Sequence, residues 1–215
     1  FAVFLPLYAL GGMAAGDVKL MAMVGSFLTP TGALWAALFS LIAGGLCGFL
    51  IVLLLIAGID TTWSAIGSSL WHLAQHPEHR KQLRANPDLW PTAIEELLRA
   101  YSPVTMARIV DRDTEFQGCP MKAGDRILMS FPAANRDPRQ FEQPDEVILD
   151  REHNRHVAFG SGIHRCAGSN LARLELRVSL QVWLERIPEF SLIDPAAVTW
   201  AGGQVHGPRV CRVRF

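Results

Sequence analysis

Phe159-Gly160-Ser161-Gly162-Ile163-His164-Arg165-Cys166-Ala167-Gly168 sets one cysteine inside a glycine-rich loop, just before a helix-forming run from Asn170 to Glu185. Those residue types in that order point to metal chemistry. A cysteine at the mouth of a helix meets free N–H groups and the positive end of the helix dipole, which favour an anion and hence a ligating thiolate. Gly162 and Gly168 are expected to let the backbone turn tightly and approach a flat ligand closely. Phe159 is expected to shield the sulfur from water, and such groups tune a metal. A thiolate so placed can be the axial ligand of a haem iron, where it pushes electron density towards O–O bond cleavage. The bland alternative is a buried structural thiol, the commoner state of a lone cysteine. The fixed glycine, histidine and phenylalanine positions around Cys166 weigh against it.

The elements that must hold this loop are readable on either side of it. Leu171 to Ile187 has the apolar spacing of an amphipathic helix, and so has Trp90 to Tyr101, where Ile94, Leu97, Leu98 and Tyr101 share a face. Pro91 suits the first turn of the latter, and Ser102-Pro103 ends it. Pro77 closes a preceding helix and opens a short polar one to Ala85. Arg108 to Met129 reads as short strands separated by Asp111-Arg112-Asp113, Gln117-Gly118 and Lys122-Ala123-Gly124-Asp125. Ala134 to Arg155 has little periodicity and reads as ordered coil. The tail from Val198 to Phe215, with Gly202-Gly203 and Gly207-Pro208, reads as a closing hairpin. No internal repeat is present.

The chain has 215 residues, with 20 basic and 20 acidic side chains. That balance gives no basic surface of the kind nucleic acid requires. The charge is unevenly spread: residues 1–52 hold only Asp17 and Lys19, and all the rest lie in 53–215. The first part reads as a membrane segment and the second as a soluble domain. Thr31 to Ile59 contains no charge over 29 positions, beyond the ~20 that a membrane helix needs. A buried core helix is the alternative. The four cysteines, Cys47, Cys119, Cys166 and Cys211, form no C-x-x-C pair, which argues against a zinc knuckle and for a reducing compartment. No basic n-region follows Phe1, so no cleavable signal peptide is read, and the chain is expected to be a fragment at its N-terminus.

The pattern F-x-x-G-x-H-x-C-x-G is similar to the haem-binding loop of the cytochrome P-450 family. Other stretches resemble that family in the same order. Ala57-Gly58-Ile59-Asp60-Thr61-Thr62 resembles its distal helix, where Gly58 would leave room, Thr61 would hydrogen-bond dioxygen and Asp60 would relay protons from solvent. Glu96-Leu97-Leu98-Arg99 sets opposite charges at i and i+3. Read alone this is a solvated pair of little worth; the resemblance makes it a buried pair completed by Arg151 from the coil ahead of the cysteine. Arg108 matches a strand arginine that pairs a haem propionate, with a solvent-facing arginine as the alternative. His164 matches a second propionate donor. Ala134-Asn135-Arg136-Asp137-Pro138 and the tail from Gly202 also match. The resemblance runs from Leu53 to Phe215, about three quarters of the chain, and corresponds to the C-terminal half of a complete member.

The implied fold is mainly α with a small β component, the C-terminal half of the cytochrome P-450 fold, preceded by hydrophobic helices. The implied domains are a hydrophobic segment over 1–52 and an incomplete haem-binding region over 53–215. The implied activity is haem-thiolate monooxygenation of a small organic substrate. Cys166 would ligate the iron of haem b, Asp60 and Thr61 would be catalytic, and Arg108, Phe159, Gly160, His164 and Gly168 would contact the cofactor. Glu96, Arg99 and Arg151 would be structural. Electrons would come from NAD(P)H through a ferredoxin or flavin reductase-type donor. Residues 1–59 would engage the membrane with a cytoplasmic C-terminal region; without a native N-terminal segment the expected site is the bacterial cytoplasm.

A second resemblance lies at the front. Gly11-Gly12-Met13-Ala14-Ala15-Gly16-Asp17-Val18-Lys19-Leu20 is similar to the G-x-G-D motif region of type IV prepilin peptidases, which are membrane aspartic peptidases. It implies a competing function, with Asp17 catalytic. Such an enzyme needs two carboxylates sharing a proton; only Asp17 is present here, and Ala14 replaces the first glycine. A gene fusion, a rearrangement, an assembly artefact and an inert remnant are the alternatives this leaves.

Overall fold

The computed structural model describes residues 30–215. Asp17 and the rest of the prepilin-peptidase-like motif lie outside the described residues. The chain divides into two units, 1–56 and 57–215, a few residues beyond the expected composition break at 52/53.

Helix α1 spans Pro30–Gln75. Up to Val52 it presents exposed apolar side chains, among them Trp35, Phe39, Ile42, Phe49 and Ile51. From Leu38 the helix is long and apolar enough to cross a membrane by length and composition, with a mean hydropathy of 2.7 and none of that window buried.

In the second unit the same helix becomes one-sided. It buries Ala65, Ser68, Ser69, His72, Leu73 and Ala74. Pro77 stops it, having no N–H to continue the ladder, and starts α2 (Pro77–Ala85). Asn86 then caps a single 3-10 turn over Pro87–Leu89 by accepting the Asp88 N–H. Helix α3 (Trp90–Ala100) follows and is buried over most of its circumference. Strand β1 (Thr105–Ile109) pairs antiparallel with β4 (Arg126–Ser130), Thr105 opposite Ser130. Between them, β2 (Thr114–Phe116) and β3 (Cys119–Met121) form a hairpin. Its two-residue turn, Gln117-Gly118, has positive φ at both positions (49° and 82°), the geometry that matches strand twist.

A one-turn helix, α4 (Phe131–Ala134), capped by Ser130, was not legible in the sequence. Coil then leads to the cysteine loop and to α5 (Ser169–Arg186). Leu176, Leu180 and Leu184 recur every fourth residue on α5 and meet Leu73, Leu83, Ile94 and Leu97 in one core. Leu171, Leu174, Val178 and Val182 form a second apolar stripe that stays exposed.

The tail makes two small ladders rather than one hairpin. Strand β5 (Ser191–Leu192) pairs with β8 (Val213–Arg214), and β6 (Thr199–Trp200) pairs with β7 (Pro208–Val210). Gly207, just before β7, presses against α1: a Cβ there would sit 2.5 Å from Ser64 Cβ and 2.8 Å from its Cα. Only a glycine allows this approach. Gly203 in the same tail has nothing within 4 Å of such a position.

Gly207→Ala is therefore expected to destabilise the second unit by about 1–3 kcal/mol through overpacking. Gly203→Ala should stay within about 0.5 kcal/mol of the parent. Chemical denaturation of the two variants checks the contrast; equal stabilities would remove the claim of close packing.

Candidate functional site

Helix α3 carries two successive carboxylates, Glu95 and Glu96, that project from it in different directions and hold different segments. Glu96 has no exposed surface. Arg99, one turn on, donates to both its oxygens, Nε to Oε2 and Nη2 to Oε1, each at 2.8 Å. Arg151 Nε (3.0 Å), Asn154 Nδ2 (3.0 Å) and the Ile148 N–H (2.9 Å) donate to the same carboxylate. Burial pushes the Glu96 carboxyl upward, but the Arg99 bonds, the Ile148 N–H and Arg151 outweigh it and hold the group below the usual carboxylate range.

The two arginines spend their remaining donors on coil carbonyls. Arg99 donates to Asn135 O (2.9 Å), Pro144 O (2.7 Å) and Glu146 O (2.7 Å), and Arg151 to Glu142 O (2.7 Å). Asn135, fully buried, adds a brace: its Nδ2 donates to Ser102 Oγ and its Oδ1 accepts from the Val157 N–H. The coil that precedes the cysteine loop is thus tied at many points to one end of α3.

Glu95 anchors the other side of the loop. It accepts from Arg173 Nε (2.5 Å) and Nη2 (2.9 Å) on α5, and from His156 Nε2 (3.0 Å). The Arg173 guanidinium lies 4.6 Å from the centre of the Phe159 ring. Burial pushes the Glu95 carboxyl up, but the hydrogen bonds and charges of His156 and Arg173 win and bring it to about 2. Nothing in the sequence spacing singled out Glu95, His156 or Arg173, whose separations of 61 and 78 residues only the fold closes.

The loop between these anchors turns through left-handed backbone at Gly160 (φ 72°) and Gly162 (φ 66°). Gly168, expected to make a tight turn, has φ −84° and lies at the N-terminal end of α5. A Cβ on Gly168 would meet Cys166 Sγ at an ordinary 3.8 Å, so neither space nor strain demands glycine there. The Cys166 N–H donates to Phe159 O (2.9 Å), and the Ser169 N–H to Cys166 O (3.3 Å), which fixes the backbone on both sides of the sulfur.

Cys166 is exposed and lines a cavity of about 800 Å³. Thr61, Thr62 and Ala65 of α1 line the same cavity, as do Arg108, Phe131 and His164. The lining contains no acidic residue. Arg108 has no carboxylate partner among the described residues, and its guanidinium donates only to the neighbouring Ala107 carbonyl (2.9 Å). Asp60 is exposed on α1 and is not part of the wall. Thr61 is, but its hydroxyl donates back to Ala57 O at 3.1 Å, as helical threonines do. In this arrangement its proton points along the helix rather than into the cavity. A Cβ on Gly58 would have nothing within 4 Å, so the space beside that glycine is open.

A mostly apolar slot with one thiol, two basic side chains and no acid fits a flat, metal-centred ligand with peripheral carboxylates. A profile of the cytochrome P450 family matches residues 88–192. A probable cytochrome P-450 (127A1) of Sinorhizobium fredii is 44% identical over 156 residues, covering 73% of this chain and 38% of that protein. Nocardicin C N-oxygenase of Nocardia uniformis is 43% identical over 159 residues, covering 72% of this chain and 40% of that protein. The solved cytochrome P-450 PksS of the bacillaene polyketide synthase of Bacillus subtilis superposes with a TM-score of 0.73 at 38% identity, over 76% of this chain and 43% of that one. The chain carries the C-terminal half of the cytochrome P-450 fold. It spans about two fifths of the length of these curated relatives.

Because the Glu95 carboxyl is lowered from 4.5 to about 2 on folding, the folded state holds its proton more weakly than the unfolded chain. The stability this group contributes is fully present above about pH 4.5 and is lost as pH falls towards 2. Glu95→Gln should flatten that part of the stability profile, as followed by unfolding at stepped pH. An unchanged acid limb would show that the Glu95 cluster does not carry the loss.

Proposed function

We propose that residues 57–215 are the haem-binding half of a haem-thiolate monooxygenase. The observation that carries this reading is the shared, acid-free cavity of Cys166, Arg108, His164 and Thr61. Cys166 Sγ supplies the iron ligand, and Arg108 and His164 take the propionates of haem b by charge-assisted hydrogen bonds. Gly160 brings the backbone in close, and Phe159 stacks beside the sulfur's loop. Gly168 starts α5 beside the ligand.

When bound, a thiolate-ligated haem supplies dioxygen activation, with one oxygen atom inserted into an organic substrate and the other reduced to water. The chain's own residues do the rest. Asp60, exposed on α1, takes protons from solvent. Thr61 receives them at the cavity wall once its hydroxyl leaves Ala57 O. The Glu96–Arg99–Arg151 cluster holds the cysteine loop in position, and positioning of this kind determines whether a ligand site is formed. Electrons come from NAD(P)H through a ferredoxin or flavin reductase-type donor, and the substrate is a small organic molecule.

The test is a titration of the full chain with haem, followed by a reduced-minus-oxidised spectrum under carbon monoxide. The parent, Cys47→Ala, Cys119→Ala and Cys211→Ala should all show the red-shifted Soret band of a thiolate complex, and Cys166→Ala should lose it. An identical spectrum in Cys166→Ala sinks the assignment.

We further propose that residues 31–59 lie in a membrane, with Phe215 on the cytoplasmic side. The exposed apolar side chains of α1 between Leu38 and Val52 support this, as does the crowding of Arg and Lys on the C-terminal side from Arg80 onward. The chain should remain with the membrane fraction through salt and alkaline carbonate washes. Release into the supernatant would contradict the reading.

A further inference from the structure

Far from the cysteine in sequence, the junction of α1 and α2 gathers three histidines. His72 lies in the last turn of α1, His76 is the residue between the helices, and His79 lies in the first turn of α2. One ligand nitrogen from each lies within 4.8 Å of the others, the only such group of ligating side chains among the described residues. The rings stack: centroids are 4.1 Å apart for His72 and His76, 5.0 Å for His72 and His79, and 5.3 Å for His76 and His79. His72 is buried, and the other two reach solvent.

We propose that His72, His76 and His79 form a binding site for a divalent transition-metal ion of the zinc class, with water in the remaining position. Three imidazoles and one open position are a common set for this ion, and nitrogen ligands select it over calcium or magnesium.

The surroundings supply the outer contacts that orient metal-bound imidazoles. Tyr101 Oη is 2.7 Å from His72 Nδ1. It accepts the Nδ1 proton and leaves the Nε2 lone pair for the ion. Glu78 Oε1 accepts from His76 Nδ1 at 2.8 Å, placing a carboxylate behind the second ring. His72 Nε2 and His79 Nδ1 face each other at 2.8 Å and share one proton. With metal–nitrogen bonds of about 2.0–2.1 Å, a tetrahedral ion needs these atoms about 3.3 Å apart. The pair therefore opens by about half an ångström as the ion replaces the shared proton. That proton moves to the other nitrogen of the ring that gave it up, so each ring binds as a neutral imidazole.

The bound ion would join α1, α2 and, through Tyr101, the C-terminal end of α3. It would clasp the helix junction that Pro77 interrupts.

The test uses the full chain, stripped with chelator and titrated with Co²⁺. The expected result is one equivalent bound per chain, with the visible ligand-field bands of a four-coordinate site, displaced by Zn²⁺. His76→Ala and His79→Ala touch partly exposed side chains, and circular dichroism verifies that each stays folded. Each should weaken Zn²⁺ binding by about 100-fold or more, and Tyr101→Phe and Glu78→Gln by about tenfold. His153→Ala, an exposed histidine elsewhere, should leave affinity unchanged. Absence of cobalt bands, parental affinity in both histidine variants, or a thiolate charge-transfer band that puts the ion on a cysteine would each overturn the proposal.

Discussion

The second unit depends on one desolvated carboxylate. Glu96 has no surface exposure, and a charge in that position is tolerated only because five donor contacts surround it. Removing one partner of such a buried pair costs about 3–5 kcal/mol, because the other charge is left stranded. Two arginines face one carboxylate, so the cluster is not neutral by pairing alone. The surplus positive charge is spread over the coil carbonyls of Asn135, Pro144, Glu142 and Glu146. These carbonyls would otherwise need water. The ion cluster therefore does the work of secondary structure for a segment that has almost none.

The consequence travels along the chain to the site. A coil hung from α3 delivers Val157 and Phe159 in fixed positions, and Asn135 ties the Val157 N–H to Ser102 at the end of α3. Glu95, one residue from Glu96 on the same helix, grips α5 through Arg173. The cysteine loop lies between those two attachments, so α3 sets the distance between the coil entering the loop and the helix leaving it. Few of these contacts are apolar. The Leu176, Leu180, Leu184 stripe brings α5 to the core, and the charged contacts then fix its rotation and position.

This division explains what the sequence made legible. Local patterns wrote themselves into it: the proline at the α1–α2 break, the Gln117-Gly118 turn, the 3, 4, 7 spacing on α3, and the turn at Gly162 ahead of Cys166. The boundaries of α5 fall within two residues of those read from periodicity. The contacts that set the site's shape were mostly illegible, because they join single residues across long separations. Glu95 with Arg173, Asn135 with Val157, and Gly207 with Ser64 carry no spacing signal. One reading failed for a local reason: Gly168 was read as a tight turn, but a helix start needs no left-handed backbone.

The distribution of charge separates scaffold from site. In the scaffold, Glu95, Glu96, Arg80, Arg99, Arg136, Arg151 and Arg173 all have opposite charges within salt-bridge distance. Around the cavity the pattern reverses: Arg108 has no carboxylate partner among the described residues, and no acid lines the wall. Arg108 therefore keeps most of its donors open towards an anionic ligand in the cavity. The neutral composition of the whole chain conceals this, since the asymmetry arises only when the fold sorts paired charges from unpaired ones.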